Sequence, residues 1–344
     1  MRTFLALFFL LIAGAAGATE RPVIAILGDS VSTEITDFML PYGVLQRAGA
    51  AHVLAVAVEA EAPITMNTGL RVLPDFDTQT FDQRFPKGAD YVIVPAMRRS
   101  AHAPVLAWLR AQADKGATVV SICDGALVLA NSGLLKGRRA TAHWATHGMR
   151  VEKYPDTQWL SNIRYVVDGK VISSAGISAA LPVSLALVET IAGRDKAAAV
   201  AAELGVRDWS ERHDSGAYAP QFGRNLNVWI THYTDQWFHA VQPVGLPLAA
   251  GIDEISLAYV SDAYTRTHRS RVLAVAPSDA PQASRFGLKV LPDRVAGSSA
   301  APAAMLPALP GTLDQVLAQI AGTFGERTAH RIALEFEYAA YPAK

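Results

Sequence analysis

Cysteine is almost missing from this chain: Cys123 is the only one in 344 residues. A lone thiol closes no internal disulfide, so a disulfide-held scaffold is excluded, and Cys123 is either a small buried hydrophobe or a reactive thiol. Net charge is missing as well. Lys and Arg total 31, and so do Asp and Glu, which leaves no basic field to hold nucleic acid or an anionic membrane. Beyond the N-terminal segment no apolar run approaches the roughly 20 residues that span a bilayer. There is no GxxxxGK phosphate loop, no HExxH pair and no Cys/His set with zinc spacing. His213, Asp214 and His232 are scattered and make only weak metal candidates, so neither a metal nor a cofactor is expected.

What is present begins with Arg2, an apolar run over residues 4–12, and Ala16-Gly17-Ala18 before Thr19. This is the pattern of a cleavable secretory signal over residues 1–18, and it predicts an exported protein, periplasmic or extracellular. With 51% hydrophobic residues, the remainder is long enough for two domains, each with its own buried core. Apolar runs at 23–27, 53–58, 91–94 and 118–122 alternate with helical patterns at 37–48 and 104–115. Such alternation predicts a parallel sheet covered by helices on both faces. A further strand over 166–173, around the turn Asp168-Gly169, and a helix over 181–192 complete a first domain, residues 19–207. Residues 208–244 form a connector holding Trp209, Tyr218, Phe222, Trp229, Tyr233, Trp237 and Phe238. These aromatics are expected to pack between domains, with a helix over 225–241.

Residues 245–344 are marked by repetition. GLRVLPD at 69–75 returns as GLKVLPD at 287–293, and VLAVA at 53–57 returns at 272–276. Thr33-Glu34-Ile35 corresponds to Asp253-Glu254-Ile255, and Ile191-Ala192-Gly193 to Ile320-Ala321-Gly322. Matches in one order predict a second, degenerate and shortened copy of the first fold. Leu257 stands where the first copy has Asp37, and a Pro/Ala/Gly/Ser-rich stretch between Pro292 and Thr312 replaces the segment that would carry a cysteine. The copy therefore lacks the thiol chemistry. A pairing role is expected for it, as an intramolecular pseudo-dimer, with a homodimer as the alternative.

Cys123 follows the apolar run TVVSI and precedes a helix opened by Asp124-Gly125-Ala126. A nucleophile on such a strand-to-helix elbow is held exposed with a strained backbone. The helix N-terminus favours the thiolate, and its N–H groups can hold an oxyanion. Plain packing under the sheet edge is the alternative. Asp37, at the start of the first helix, falls with Cys123 at the carboxyl ends of the strands, where such sheets bind ligands. Beside a thiolate its carboxyl is pushed toward the neutral acid, able to donate a proton.

Four segments carry a resemblance: TEITDFMLPYGVL at 33–45, YVIVPA at 91–96, ICDGALVLANSGLLKGRRATAHW at 122–144 and SSAGISAALPVSLALVE at 173–189. Over residues 21–205 the chain resembles the ThiJ/PfpI superfamily, also called class I glutamine amidotransferase-like proteins. It is especially similar to the amidase-type domain of AraC-type transcriptional regulators and of isonitrile hydratases. The resemblance implies a flavodoxin-like parallel sheet sandwiched by helices, with Cys123 as nucleophile and Asp37, four residues before Pro41, as acidic partner. It implies oxyanion donors from the backbone of Asp124 and of Ala96 and Met97, and a substrate pocket touched by His143, Gly176 and Ile177. Asp124 stands where many proteases and deglycases have His, which excludes that Cys-His pair. Ala96 stands in a loop where glycine is usual. No helix-turn-helix follows, so no nucleic-acid partner is expected. The implied activity is cofactor-independent hydration or hydrolysis of a small isonitrile-, amide- or carbonyl-type molecule. The alternative is a non-catalytic ligand binder, or a redox sensor whose thiol cycles through sulfenic acid.

Overall fold

The computed structural model describes residues 21–307, 309–338 and 340–341, so the expected signal segment lies outside the described residues. No described helix is long and apolar enough to cross a membrane. The alternation predicted from sequence is found: β1 (Val23–Gly28), α1 (Ile35–Ala48), β2 (His52–Ala57), a short hairpin of β3 (Ile64–Thr65) and β4 (Arg71–Leu73), β5 (Phe76–Asp77), α2 (Thr78–Arg84), β6 (Tyr91–Val94), α3 (Ala103–Asp114), β7 (Thr118–Ser121) and α4 (Gly125–Ser132). Two small strands, β8 (Arg139–Ala140) and β9 (Gln158–Trp159), flank α5 (His147–Lys153). The hairpin β10 (Tyr165–Asp168) and β11 (Val171–Ser174) then leads to α6 (Ala180–Ala192) and α7 (Arg194–Glu203). The main sheet runs β10-β11-β7-β6-β1-β2-β5, with β10 its antiparallel member. β1 is buried from its second residue onward, as a strand covered on both faces must be.

Helix α1 decides how the rest packs. Its residues from Ile35 through Leu45 are buried, leaving no polar face for water, and a helix apolar all round must be enclosed. One side lies on the sheet; α6 and a helix of the C-terminal half cover the others. That half comprises β12 (Gln242–Pro247), α9 (Glu254–Arg266), β13 (Ser270–Ala276), β14 (Gln282–Ala283), β15 (Lys289–Leu291), β16 (Arg294–Val295), α10 (Leu313–Phe324) and α11 (Glu326–Glu335), after the connector helix α8 (Leu226–Phe238). α9 is as thoroughly buried as α1, from Glu254 to Tyr264. The two helices share one contiguous core with the sheet, α10 and α11. Two domains with separate cores are therefore not what forms: neither α1 nor α9 has a solvent side on which to end a domain.

The repeated segments are placed alike. Asp75 exchanges backbone and side-chain hydrogen bonds with Ala55 N–H and C=O, and Asp293 does the same with Ala274. The two heptapeptides pair with each other antiparallel, Val72 opposite Val290, Arg71 opposite Leu291 and Leu73 opposite Lys289. One sequence match shifts. Gly193 separates α6 from α7 with φ 84°, and the matching break between α10 and α11 is Gly325 with φ 96°, whereas Gly322 lies inside α10. The connector also departs from expectation. Tyr218 is buried and Trp229 packs edge-on against Trp144 at 5.5 Å, but Phe222, Trp237 and Phe238 are 96%, 72% and 75% exposed. α8 turns only part of its surface to the core, so these aromatics do not serve as interdomain packing.

Gly125 shows how closely α4 sits on the sheet: a Cβ there would lie 2.0 Å from the Val94 carbonyl oxygen. Gly125→Ala is expected to destabilise by about 1–3 kcal/mol, because backbone must move to relieve the clash. Gly133→Ala, at an open left-handed helix cap with φ 84°, is expected to cost about 1 kcal/mol. Urea denaturation midpoints of the two variants check the ranking.

Candidate functional site

The elbow is built by strand termination. β7 stops at Ser121, Ile122 N–H donates to Val94 C=O at 3.0 Å, and Gly125 N–H folds back on Ile122 C=O at 2.8 Å. Between these bonds Cys123 is forced to φ 54°, a left-handed conformation costly for any residue with a Cβ. The N-terminus of α1 is tied to the neighbouring loop: Thr33 bridges both Met66 and Met97, and Glu34 N–H donates to Ala96 C=O at 2.9 Å. Asp37, one turn further, accepts from Ala96 N–H at 3.0 Å through Oδ2, while its buried Oδ1 has no partner among the described residues.

Asp37 and Asp124 lie close enough to Cys123 to act on its thiol, and Ala96 and Met97 lie against the start of α1; two expectations need correction. Ala96 N–H was expected to face an oxyanion; it is taken by Asp37, because the loop runs close along the first turn of α1. The N–H groups of Asp124 and Met97 meet no acceptor among the described residues. Second, the thiol is not acidified. Burial pushes the Cys123 thiol up, and the carboxylates of Asp37, Asp124, Glu34 and Glu337 push it further. A short helix offers roughly half a positive charge at its N-terminus, which four carboxylates and desolvation outweigh.

Carboxyl groups crowd this region from both halves of the chain. Arg266 of α9 binds Glu34 at 3.1 Å and Asp262 at 3.0 Å, and Asn67 bridges Glu34 at 2.9 Å and Asp262 at 3.3 Å. Burial, Asp262 and Asp37 hold Glu34 well above the usual carboxylate range. Asp37 is pushed up to about 8, first by burial, against the Ala96 hydrogen bond, with Asp262 and Asp124 adding to the rise. At neutral pH it is a carboxylic acid beside a protonated thiol. Asp124, raised by burial, accepts from the Thr146 hydroxyl at 2.7 Å, with Arg150 at 3.7 Å.

A segment at the end of α11 closes over the site. Phe336 C=O and Glu337 C=O accept from Ser178 N–H and Oγ at 2.9 and 2.7 Å, and Glu337, at φ 55°, turns its buried carboxylate inward. That carboxylate accepts from Trp144 N–H at 3.2 Å and pairs with His213; against burial, the His213 bond and the two nearby imidazoles hold it low. His143 Nε2–H donates to Glu335 C=O at 3.1 Å, and its Nδ1 accepts from Ala145 N–H at 3.2 Å. With both nitrogens engaged, the Nε2–H tautomer fits, and His143 positions the segment. Gly176 lacks the Cβ that would lie 2.4 Å from both His143 and Glu337. Ile177 is buried beside it. Glu34, Asp262, Arg266 and Glu337 were not foreseen as site residues, and His213 only as a weak metal candidate. Glu34 stood out only as part of the repeat, and no local pattern marks the others.

With this geometry in place, comparisons become informative. A family model described as the DJ-1/PfpI family matches residues 23–190. The isonitrile hydratase of Pseudomonas putida is 34% identical over 151 residues, covering 41% of this chain and 60% of that protein. The HTH-type transcriptional regulator CdhR of Pseudomonas aeruginosa is 28% identical over 195 residues, covering 56% of this chain and 55% of the regulator. The chain thus spans a little over half the length of these curated relatives. Among solved structures, Drosophila melanogaster DJ-1beta superposes with TM-score 0.50 at 23% identity, over 55% of this chain and 100% of that one, a likeness of fold.

Asp37 makes folding pH-dependent with a definite sign. Its carboxyl rises from 3.8 unfolded to about 8 folded, so the folded state holds a proton that the unfolded state releases between those values. Its contribution is complete below pH 4 and is lost as pH climbs to 8, at up to about 1.4 kcal/mol per unit. Asp37→Asn, neutral at every pH, is expected to gain on wild type steadily from pH 5 to pH 8. Urea midpoints across that range test it; parallel curves for the two proteins would refute it.

Proposed function

Because residues 23–190 form a DJ-1/PfpI family domain, we propose that the chain uses Cys123 as a nucleophile toward a small electrophile of isonitrile, amide or carbonyl type, with Asp37 as its proton-transfer group. The observation that carries this reading is the state of Asp37: one oxygen pinned by Ala96 N–H, the other without a partner among the described residues, and the group neutral near pH 7. Such a carboxyl can deliver its proton to substrate while taking the thiol proton. For an isonitrile, sulfur bonds to the terminal carbon and a proton is delivered to that carbon, giving a thioimidate. Water adds to the same carbon, the C–S bond breaks, and the thiol regains its proton as an N-substituted formamide leaves. The free N–H groups of Asp124 and Met97 are the backbone donors available to developing negative charge. A relative named isonitrile hydratase supports the isonitrile class. No metal or cofactor enters the scheme.

A second reading rests on the closure of the site: Cys123 is only 7% exposed, beneath the segment at 335–337. The same pocket would then hold a ligand without turnover, or the thiol would be a redox sensor, in keeping with relatives named as transcriptional regulators. Residues 245–344 belong to the proposal as a shortened second copy of the fold, paired with the first as an intramolecular pseudo-dimer. The mutual pairing of the two heptapeptides around Val72 and Val290 supports it, since equivalent residues meeting each other is the mark of a two-fold contact. Export on the segment at 1–18 completes the proposal.

The test is product formation by residues 19–344 from an alkyl isonitrile, simple amides and aldehydes. Turnover is expected to fall at least 1,000-fold in Cys123→Ser and about 100-fold in Asp37→Asn. Substrate binding without turnover in wild type would replace the enzyme by the second reading. Alkylation of Cys123 is expected to accelerate only above the ordinary thiol range, and Asp37→Asn should bring that rise to lower pH by removing a negative neighbour.

A further inference from the structure

Away from Cys123, three metal-ligating side chains meet where α8, the turn between α9 and β13, and α11 come together. His232, His268 and Glu335 each offer a ligand atom, and all three atoms lie within 4.8 Å of one another. The imidazoles cross edge-on with centroids 4.8 Å apart. Buried nitrogens of both rings, His232 Nδ1 and His268 Nε2, have no hydrogen-bond partner among the described residues, which is uncommon for buried polar atoms and calls for a missing ligand or water. Glu335 carries a carboxylate at neutral pH, with Oε1 3.7 Å from His232 Nδ1.

The backbone at His268 adds an independent observation. It has φ 59°, four residues ahead of the VLAVA segment at 272–276; in the same place ahead of the first VLAVA stands Gly49, with φ 62°. Glycine adopts this conformation freely, whereas a residue with a Cβ pays for it, histidine less than most. A histidine is therefore held where the corresponding turn uses glycine, and its ring is aimed at His232.

We infer that His232, His268 and Glu335 bind a divalent transition metal of the zinc class. Two imidazoles and one carboxylate oxygen suit such an ion, with a fourth position left to water. Arg331 holds Glu335 Oε1 at 2.5 Å and Arg266 holds Oε2 at 3.5 Å, so the ion would take the remaining lone pair of Oε1, the oxygen that faces His232. Tetrahedral binding needs the three atoms drawn in by about 1 Å, since ligand bonds are about 2.0–2.2 Å long, and side-chain rotation provides that. Gln236 lies 3.2 Å from His232 Nε2; with metal on Nδ1, that nitrogen carries the proton and the Gln236 amide turns its oxygen to receive it. The ion would clamp α8 to α11, whose Glu335 C=O meets His143.

Titration of residues 19–344 with Co2+ and Zn2+ tests this. Expected are one Co2+ per chain with visible absorption of tetrahedral intensity, displacement by Zn2+, and affinity lowered at least 100-fold in His232→Gln and in His268→Asn. Asparagine tolerates the left-handed backbone, so that variant keeps the turn, and circular dichroism matching wild type verifies it. Binding must survive Cys123→Ser. Absence of stoichiometric Co2+ in wild type, binding that persists in both histidine variants, or loss with Cys123→Ser would each overturn the site.

Discussion

Helix α1 has no side that can face water, and everything else in the molecule follows from enclosing it. The sheet takes one flank, α6 another, and α9 of the C-terminal half the last. Burial of this kind is worth about 25 cal/mol for each Å² of apolar surface, and no exposed arrangement of Phe38, Met39, Leu40 and Val44 could match it. The same helix carries Asp37 on its first turn. Enclosing α1 therefore places a carboxyl group where solvent cannot reach it, and brings Asp262 and Arg266 of α9 against Glu34. Packing and site electrostatics have one cause.

That cause explains the resting chemistry. Glu34, Asp37 and Asp262 face the single guanidinium of Arg266, and a buried carboxyl without its own cation keeps a proton. The thiol at the elbow meets the same negative surroundings and stays protonated. At rest the region thus holds a protonated thiol and a neutral carboxyl group instead of a preformed thiolate. Burial of Asp37 and Cys123 takes these groups out of water and makes the field between them stronger.

Much of this was legible beforehand. Strand-helix alternation located the sheet, and the run TVVSI before Asp124-Gly125 located the elbow, since both are local patterns with local causes. Asp37 could be placed because it sits one turn into a helix that follows a strand. The acidity of Cys123 was misjudged because the helix terminus is visible in sequence, whereas Asp37, Glu34 and Glu337 reach the thiol from 86, 89 and 214 residues away. Ala96 was misassigned for a similar reason: which acceptor its N–H meets depends on how close a loop runs to a separate helix. Glu337 lies in EFEYAAYP, a stretch with no motif at all.

By itself the sequence determined the period of its elements, the turn that strains Cys123, the lone thiol and the repeated heptapeptide, because backbone sterics and hydrophobic periodicity act over a few neighbouring residues. Only tertiary structure decided that the two halves share one core, that the thiol rests protonated, that the C-terminal segment closes the site, and that His232, His268 and Glu335 meet. Those outcomes depend on desolvation and on charge across contacts far apart in the chain, and neither quantity exists until the chain has folded.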